Sequence, residues 1–533
     1  MMMQWFKRKN ELPWEGRPSI YAYICDKIRE QDGPLEGDLP DDEEFWAGDK
    51  MRLVAGGMDG IIAHHGAGSD PDKDIQELLN LLVQQTQSPS DQTRKATYEK
   101  LIQDQLLISN IDTILRGIRE TSGIKPGPLY YEAKWFAEHG AHRNVVKFGI
   151  ALLGLFDSQS AEAVQELIFT LGRHDEFTLY AVVAIQNGLE NSNDTLFKLA
   201  QKVDGWGKIH IVERLEPNSQ KIKDWLLRDG CQNRIMDEYL AWTCAMNGEL
   251  HAALTAQELD QELFEGATDI LQALLNGGPA EEMDDYEYAS AAITAYLRHA
   301  AQRELSLKHL LTLIDLKDYL EEEDPDRWEH RMETGWTAEL RQDGLAVCVK
   351  LISLPDWTGK ILHTLKQSDG TGAEHYYAVT CARRLGMDIW ELLFDRLSRN
   401  PLEASLYQEL MKSQERERIG KLVQFAEAHL PLQEIATGPA DETGFGPGFE
   451  SHRCLVSILQ SLGAYEGLGK KLIFTGLNSP VMNNRNMAVK ALESWELAVW
   501  GDGITNALAE LSAKEPNETV KESIRQLKEA KGI

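Results

Sequence analysis

The sequence contains no Cys-x-x-Cys pair and no cysteine–histidine cluster at zinc spacing, so the usual marks of a structural zinc or a thiol redox centre are missing. No metal site is expected from spacing alone. The six cysteines, Cys25, Cys231, Cys244, Cys348, Cys381 and Cys454, are scattered, which also argues against a disulfide framework. No apolar run is long enough to span a bilayer: the most apolar stretch, 145–156, is short and holds Lys147. Positive charge is scarce, with 55 Lys plus Arg against 85 Asp plus Glu and a formal charge of −30. Phosphate backbones and anionic headgroups need neutralising cations, so neither nucleic acid nor a membrane surface is expected as a partner. Residues 1–9 are basic but lead into Glu11, Pro13 and Trp14, with no apolar segment of the kind a secretory signal carries. A cytoplasmic location is expected. No Gly-x-Gly-x-x-Gly follows a predicted strand, strands do not alternate with helices, and no cysteine sits in a glycine-rich haem-thiolate loop.

What is present is a chain that should fold, with 42% apolar and 26% charged residues. From about residue 128 a rhythm sets in: an amphipathic helix, a short turn rich in Gly, Asn, Asp or His, then a more apolar helix. One hairpin turns at 139–142, the next at 172–176, and two more at 204–207 and 230–233. The second helices resemble one another. Tyr239-Leu240-Ala241-Trp242-Thr243-Cys244-Ala245 and Tyr376-Tyr377-Ala378-Val379-Thr380-Cys381-Ala382 agree at five of seven positions, and looser copies surround Ala181 and Ala289. These central alanines are offset by 60, 48 and 89 residues, multiples of no single period. A small residue at a fixed place lets neighbouring hairpins approach closely, while Tyr, Trp and Val fill the layer beside it. Near the end of the chain Pro480 and Pro516 lie 36 residues apart, the length of one hairpin, each where a helix can start but not continue.

These features predict an all-α fold of irregular HEAT-like helical hairpins stacked into a solenoid. Residues 1–70 read as a small non-repeat cap with a Gly/His loop, 71–430 as repeats, 431–452 as a Gly/Pro-rich loop, and 453–533 as further repeats closed by a polar last helix.

Chemistry-bearing clusters are few. The segment from Gly56 to Gly68 combines glycines, Asp59 and the adjacent His64 and His65. Asp59, His64 and His65 are the candidate catalytic residues, although a glycine-rich connection with exposed histidines would look the same. Adjacent histidines point apart on regular elements, so joint action requires an irregular loop. Glu138, His139 and His142 flank a hairpin turn, where a capping role competes with ligation, as it does for His174. Asp369-Gly370-Thr371-Gly372 precedes a helix and reads as an N-terminal cap more readily than as an anion site.

Three segments, Trp14-Glu15-Gly16-Arg17-Pro18-Ser19-Ile20-Tyr21, the Asp59-Gly60 and His64-His65 stretch, and Val203-Asp204-Gly205-Trp206-Gly207-Lys208-Ile209-His210, resemble a family of Bacillus-type and clostridial proteins often named limonene hydroxylase. The resemblance implies a monoterpene oxidoreductase that hydroxylates limonene to carveol or perillyl alcohol. It further implies NAD-linked oxidation of those alcohols to carvone or perillyl aldehyde, with a small apolar substrate. No catalytic residue carries over with it. The residues themselves point instead to a non-catalytic scaffold presenting a concave surface to a protein partner.

Overall fold

The computed structural model describes residues 12–35, 37–46, 52–66, 75–103, 107–367 and 372–533. These form α-helices joined by short turns, and the one extended pairing among them is an isolated bridge between Glu442 and Val481. The expected all-α class is therefore observed. None of the described helices is long and apolar enough to cross a membrane.

Local chemistry sets the helix ends. Ser19 Oγ accepts from the Ala22 N–H at 3.2 Å, Asp260 Oδ1 from Leu263 N–H at 2.9 Å, and Asn517 Oδ1 from Thr519 N–H at 3.0 Å. Each satisfies a donor that the first helical turn leaves free. Pro325 occupies the first position of the helix Pro325–Glu333, where its missing N–H costs nothing, behind the capping Asp324.

The chain divides into two compact units, Met1–Leu354 and Pro355–Ile533, a division that falls inside the stretch read from sequence as one repeat block. In the first unit the helix Arg143–Leu153 packs on Pro126–His139 and on Asp175–Gly188, which in turn packs on Glu162–Gly172 and Trp206–Val212. Further along, Gln261–Asn276 packs on Ala241–Asn247 and Leu307–Glu321, and the latter on Ala338–Ile352. Arg143–Leu153 is buried on almost every side, so its polar residues, Arg143, Asn144 and Lys147, lie inside the protein. The alanines singled out by the sequence comparison, Ala181, Ala241, Ala289 and Ala378, are all buried, as close approach of packed helices requires. Tyr376, beside one of them, is 61% exposed and does not join that packed layer.

In the second unit Glu450–Leu462 packs on Ala404–Leu410 and Met482–Glu493, and Met482–Glu493 on Lys470–Leu477 and Glu518–Lys531. Pro480 and Pro516 each lie two residues before the first residue of a helix, as their spacing predicts. Within the 431–452 stretch the short helix Leu432–Ile435 and the start of Glu450–Leu462 flank an irregular span.

Two expectations change. The segment beginning at Gly56 is a helix, Gly57–His65, and not a glycine-rich loop, while Ala67 and Gly68 lie outside the described residues. Gly60 in this helix lies against the indole of Trp206, where a Cβ would come within 2.2 Å of ring carbons. The turn expected at 204–207 is shorter, because Trp206 already opens the helix Trp206–Val212. Of the Asp369-Gly370-Thr371-Gly372 motif, only Gly372 is described; it caps Ala373–Arg384.

Candidate functional site

The Gly57–His65 helix runs between two clusters of ionisable groups and belongs to both. At its start Asp59 is buried and its Oδ2 lies 2.8 Å from Lys147 Nζ. Lys147 Nζ donates to Glu176 Oε1 at 2.6 Å, and Glu176 Oε2 accepts from the Gly56 N–H at 2.9 Å. One helical turn before Lys147, Arg143 grips Asp41 through Nε at 3.2 Å and Nη2 at 3.0 Å, also donates to Asp42, and stacks its guanidinium 4.2 Å from the Phe45 ring centre. Its Nη1 lies 3.7 Å from Glu176 Oε1, which ties the two pairs into one network.

Burial and charge act against each other here. Burial alone would depress Lys147, but Asp59 and Glu176 hold its pKa above the ordinary lysine value. Burial would raise Glu176, yet Lys147, Arg143 and the Gly56 N–H bring it down to about 2. Asp59 is pushed up by burial despite Lys147.

Over this network opens a cavity of about 290 Å³ whose charged lining includes Asp38, Asp42, Arg52, Arg143, Asp175 and Arg234. Asp175 lies on one wall of it. Burial and the neighbouring Asp204 push the Asp175 pKa up to about 7, against the N–H groups of Gly205 and Gly207 that donate to its carboxylate. The close fit requires glycine: a Cβ on Gly207 would lie 2.5 Å from Asp175 Oδ1. His174, which caps the same helix by accepting from the Glu176 N–H, is brought down to about 4 by burial. The capping role read for His174 from sequence is what the structure shows. His142 likewise stands at a helix N-cap, its Nδ1 2.9 Å from the Tyr98 hydroxyl.

Because a carboxyl group whose folded pKa lies above its unfolded value prefers to stay protonated when folded, Asp175 removes stability as pH rises from about 4 to about 7. The stability difference between the parent and Asp175→Asn should therefore move in favour of the variant across that window and level off above it. Urea midpoints measured at intervals from pH 4 to 8 check this; a constant difference would refute it.

At the other end of the Gly57–His65 helix the chemistry changes. His64 stacks against His210 with ring centres 5.8 Å apart and lies 5.0 Å from the Tyr239 ring, while His65 Nε2 is 2.9 Å from the Tyr239 hydroxyl. His64 Nε2 lies 3.4 Å from Glu213 Oε1. Burial holds both imidazoles below the ordinary histidine range, His210 down to about 3, so both rings are neutral at pH 7. Trp206 closes this side, its ring centre 5.5 Å from His64 and 6.0 Å from His210.

Of the three residues proposed from sequence, Asp59 thus goes to the charged network and His64 and His65 to the aromatic cluster. Five residues of helix put about 7.5 Å of axial rise between Asp59 and His64. Sequence reading missed Arg143, Glu176, His210 and Glu213. Lys147, a lone charge inside the most apolar stretch, was the available signal for the first cluster; His210 and Glu213, one helical turn apart, were the signal for the second. The Trp14 ring packs 5.1 Å from Tyr98 and 4.8 Å from Trp135.

No family model and no curated protein matches this chain. One solved structure, described as an engineered protein, aligns at 13% identity over 86% of this chain and 99% of its own, with a TM-score of 0.24, too loose to carry an argument.

The junction of the two clusters is sensitive to a single methyl group. Gly60→Ala would drive its Cβ into the Trp206 ring, and a cost of about 3 kcal/mol is expected from such overpacking. Thermal unfolding of the variant measures it; a melting temperature equal to that of the parent would contradict the packing.

Proposed function

We propose that this protein is a non-catalytic helical-repeat scaffold, its HEAT-like hairpins stacked into a solenoid that binds a protein partner. The observation that carries the reading is the order of packing: within each unit, many helices contact neighbours close to them in chain order, next-but-one in Arg143–Leu153, Asp175–Gly188 and Trp206–Val212 and in Glu450–Leu462 and Met482–Glu493, and three along from Met482–Glu493 to Glu518–Lys531. The buried charges support the same reading. Arg143, Lys147, Asp59 and Glu176 are ion-paired with one another and hold helices together, the role of a structural clasp. Tyr131 and Tyr376, 73% and 61% exposed, are side chains of the kind that interfaces use.

The monoterpene oxidoreductase implied by family resemblance is the competing reading. The cavity is mixed, with Leu35, Leu39, Leu53, Val54 and Ile235 beside Arg52, Asp175 and Arg234, so a hydrocarbon held in it would meet apolar walls but would also strip water from these charges and return no hydrogen bond. The deciding experiment supplies purified, metal-replete protein with limonene or perillyl alcohol and NAD. No product above the protein-free control is expected, and turnover that follows the protein through purification would overturn the scaffold. Its positive counterpart is in-cell crosslinking followed by reconstitution from purified components. A complex of fixed stoichiometry is the expected outcome, and failure of every crosslinked candidate to rebind counts against the proposal.

A further inference from the structure

We infer that His64, His210 and Glu213 form a binding site for a divalent first-row transition metal of the zinc class. One ligating atom from each residue lies within 4.8 Å of the others, and His64 Nε2 and Glu213 Oε1 are already 3.4 Å apart. Bonds of about 2.0–2.1 Å around a tetrahedral zinc put its ligand atoms about 3.3 Å from one another. One pair therefore stands at metal-bound spacing, and the others close by at most roughly 1.5 Å, a distance that side-chain torsions supply.

The independent observation is His210. It is 1% exposed, and neither of its ring nitrogens has a hydrogen-bond partner among the described residues. A buried imidazole normally satisfies at least one nitrogen, because leaving both bare costs free energy that stacking on Trp206 and His64 does not return. A metal ion bonded to one nitrogen accounts for that buried, unpaired lone pair. Glu213 is divided to suit. Arg214 Nη1 donates to its Oε2 at 3.2 Å, which leaves Oε1 facing His64.

The backbone explains the convergence. His210 and Glu213 are separated by three residues at the end of the Trp206–Val212 helix, so they project from one face, and His64 comes from the last turn of the Gly57–His65 helix packed against it. Two histidines and a carboxylate are borderline donors that suit zinc, cobalt or ferrous iron in preference to calcium or magnesium. Three protein ligands leave a fourth position for water or for a group supplied by a bound molecule. Glu213 is 27% and His64 19% exposed at the side chain, so the site has access from solvent even though His210 does not.

The experiment uses the full chain, stripped with chelator and titrated with Zn²⁺ in competition with a chromophoric indicator. One equivalent per chain is expected. Co²⁺ in place of Zn²⁺ should give visible d–d bands without a thiolate charge-transfer band, since none of the ligands is a cysteine. Glu213→Gln and His64→Gln should each weaken Zn²⁺ binding by more than the roughly 100-fold that even outer-shell partners of a metal cost, with helical circular dichroism unchanged. Glu213→Gln keeps the shape of a partly exposed side chain, so it decides the case if His64→Gln disturbs folding. Absence of a tight equivalent in the parent, a thiolate band with Co²⁺, or tight binding that survives Glu213→Gln would each overturn the assignment.

Discussion

Replacing Lys147 by methionine is expected to cost about 3–5 kcal/mol of stability, because it leaves two carboxylates buried without their shared cation. Lys147 is 3% exposed at its side chain and stands 2.8 Å from Asp59 and 2.6 Å from Glu176. Of the two, Glu176 keeps some compensation from Arg143 and from the Gly56 N–H, whereas Asp59 loses its ion-pair partner. Asp59→Asn introduced alongside should therefore recover about 1–3 kcal/mol, since the groups interact directly and their effects do not add. Urea unfolding of the two single variants and the double variant gives the coupling; a double variant that is less stable than Lys147→Met alone would contradict this placement of charges.

A loss of similar size, about 3–5 kcal/mol, is expected from Glu515→Ala in the second unit. Arg485 and Glu515 are both fully buried and meet through two bonds, Nε to Oε2 at 2.7 Å and Nη2 to Oε1 at 2.6 Å. The remaining guanidinium nitrogen donates to the carbonyls of Ser479 at 2.9 Å and Pro480 at 2.8 Å. Arg485 thus fastens the turn before its own helix to the turn before the last one, and without Glu515 its charge stays buried and only partly satisfied. Replacing both residues by apolar side chains of similar volume should be far milder than Glu515→Ala, because a buried ion pair recovers little more than its own desolvation cost. Urea unfolding is the comparison, and because the pair is buried the losses should change little with ionic strength. Equal losses in the single and double variants would show that packing, and not charge, holds this corner.

Much of the fold was legible before any coordinates. The 3.6-residue pattern and the hairpin turns placed the helices Pro126–His139, Arg143–Leu153, Glu162–Gly172 and Asp175–Gly188 nearly where they lie, because these helices carry long apolar faces and polar turns. The segment at Gly56 was read as a loop because glycine is a poor helix former in isolation. What requires glycine at position 60 is the indole of Trp206, some 150 residues later, and no local pattern reports such a contact.

The candidate sites divide along the same line. Sequence alone picked out Asp59, His64 and His65, and it noted Lys147 only as a charge that speaks against a membrane span. It could not show that Asp59 pairs with Lys147, or that His64 faces His210 and Glu213, because those partners are far away along the chain and meet only through packing. Composition and periodicity determine that this chain is helical, acidic and without a familiar cofactor motif, since those properties are sums over local residues. Which charges neutralise one another, and which histidine is left with bare nitrogens, is decided by tertiary structure, since a pairing depends on where two helices cross and not on what either one contains.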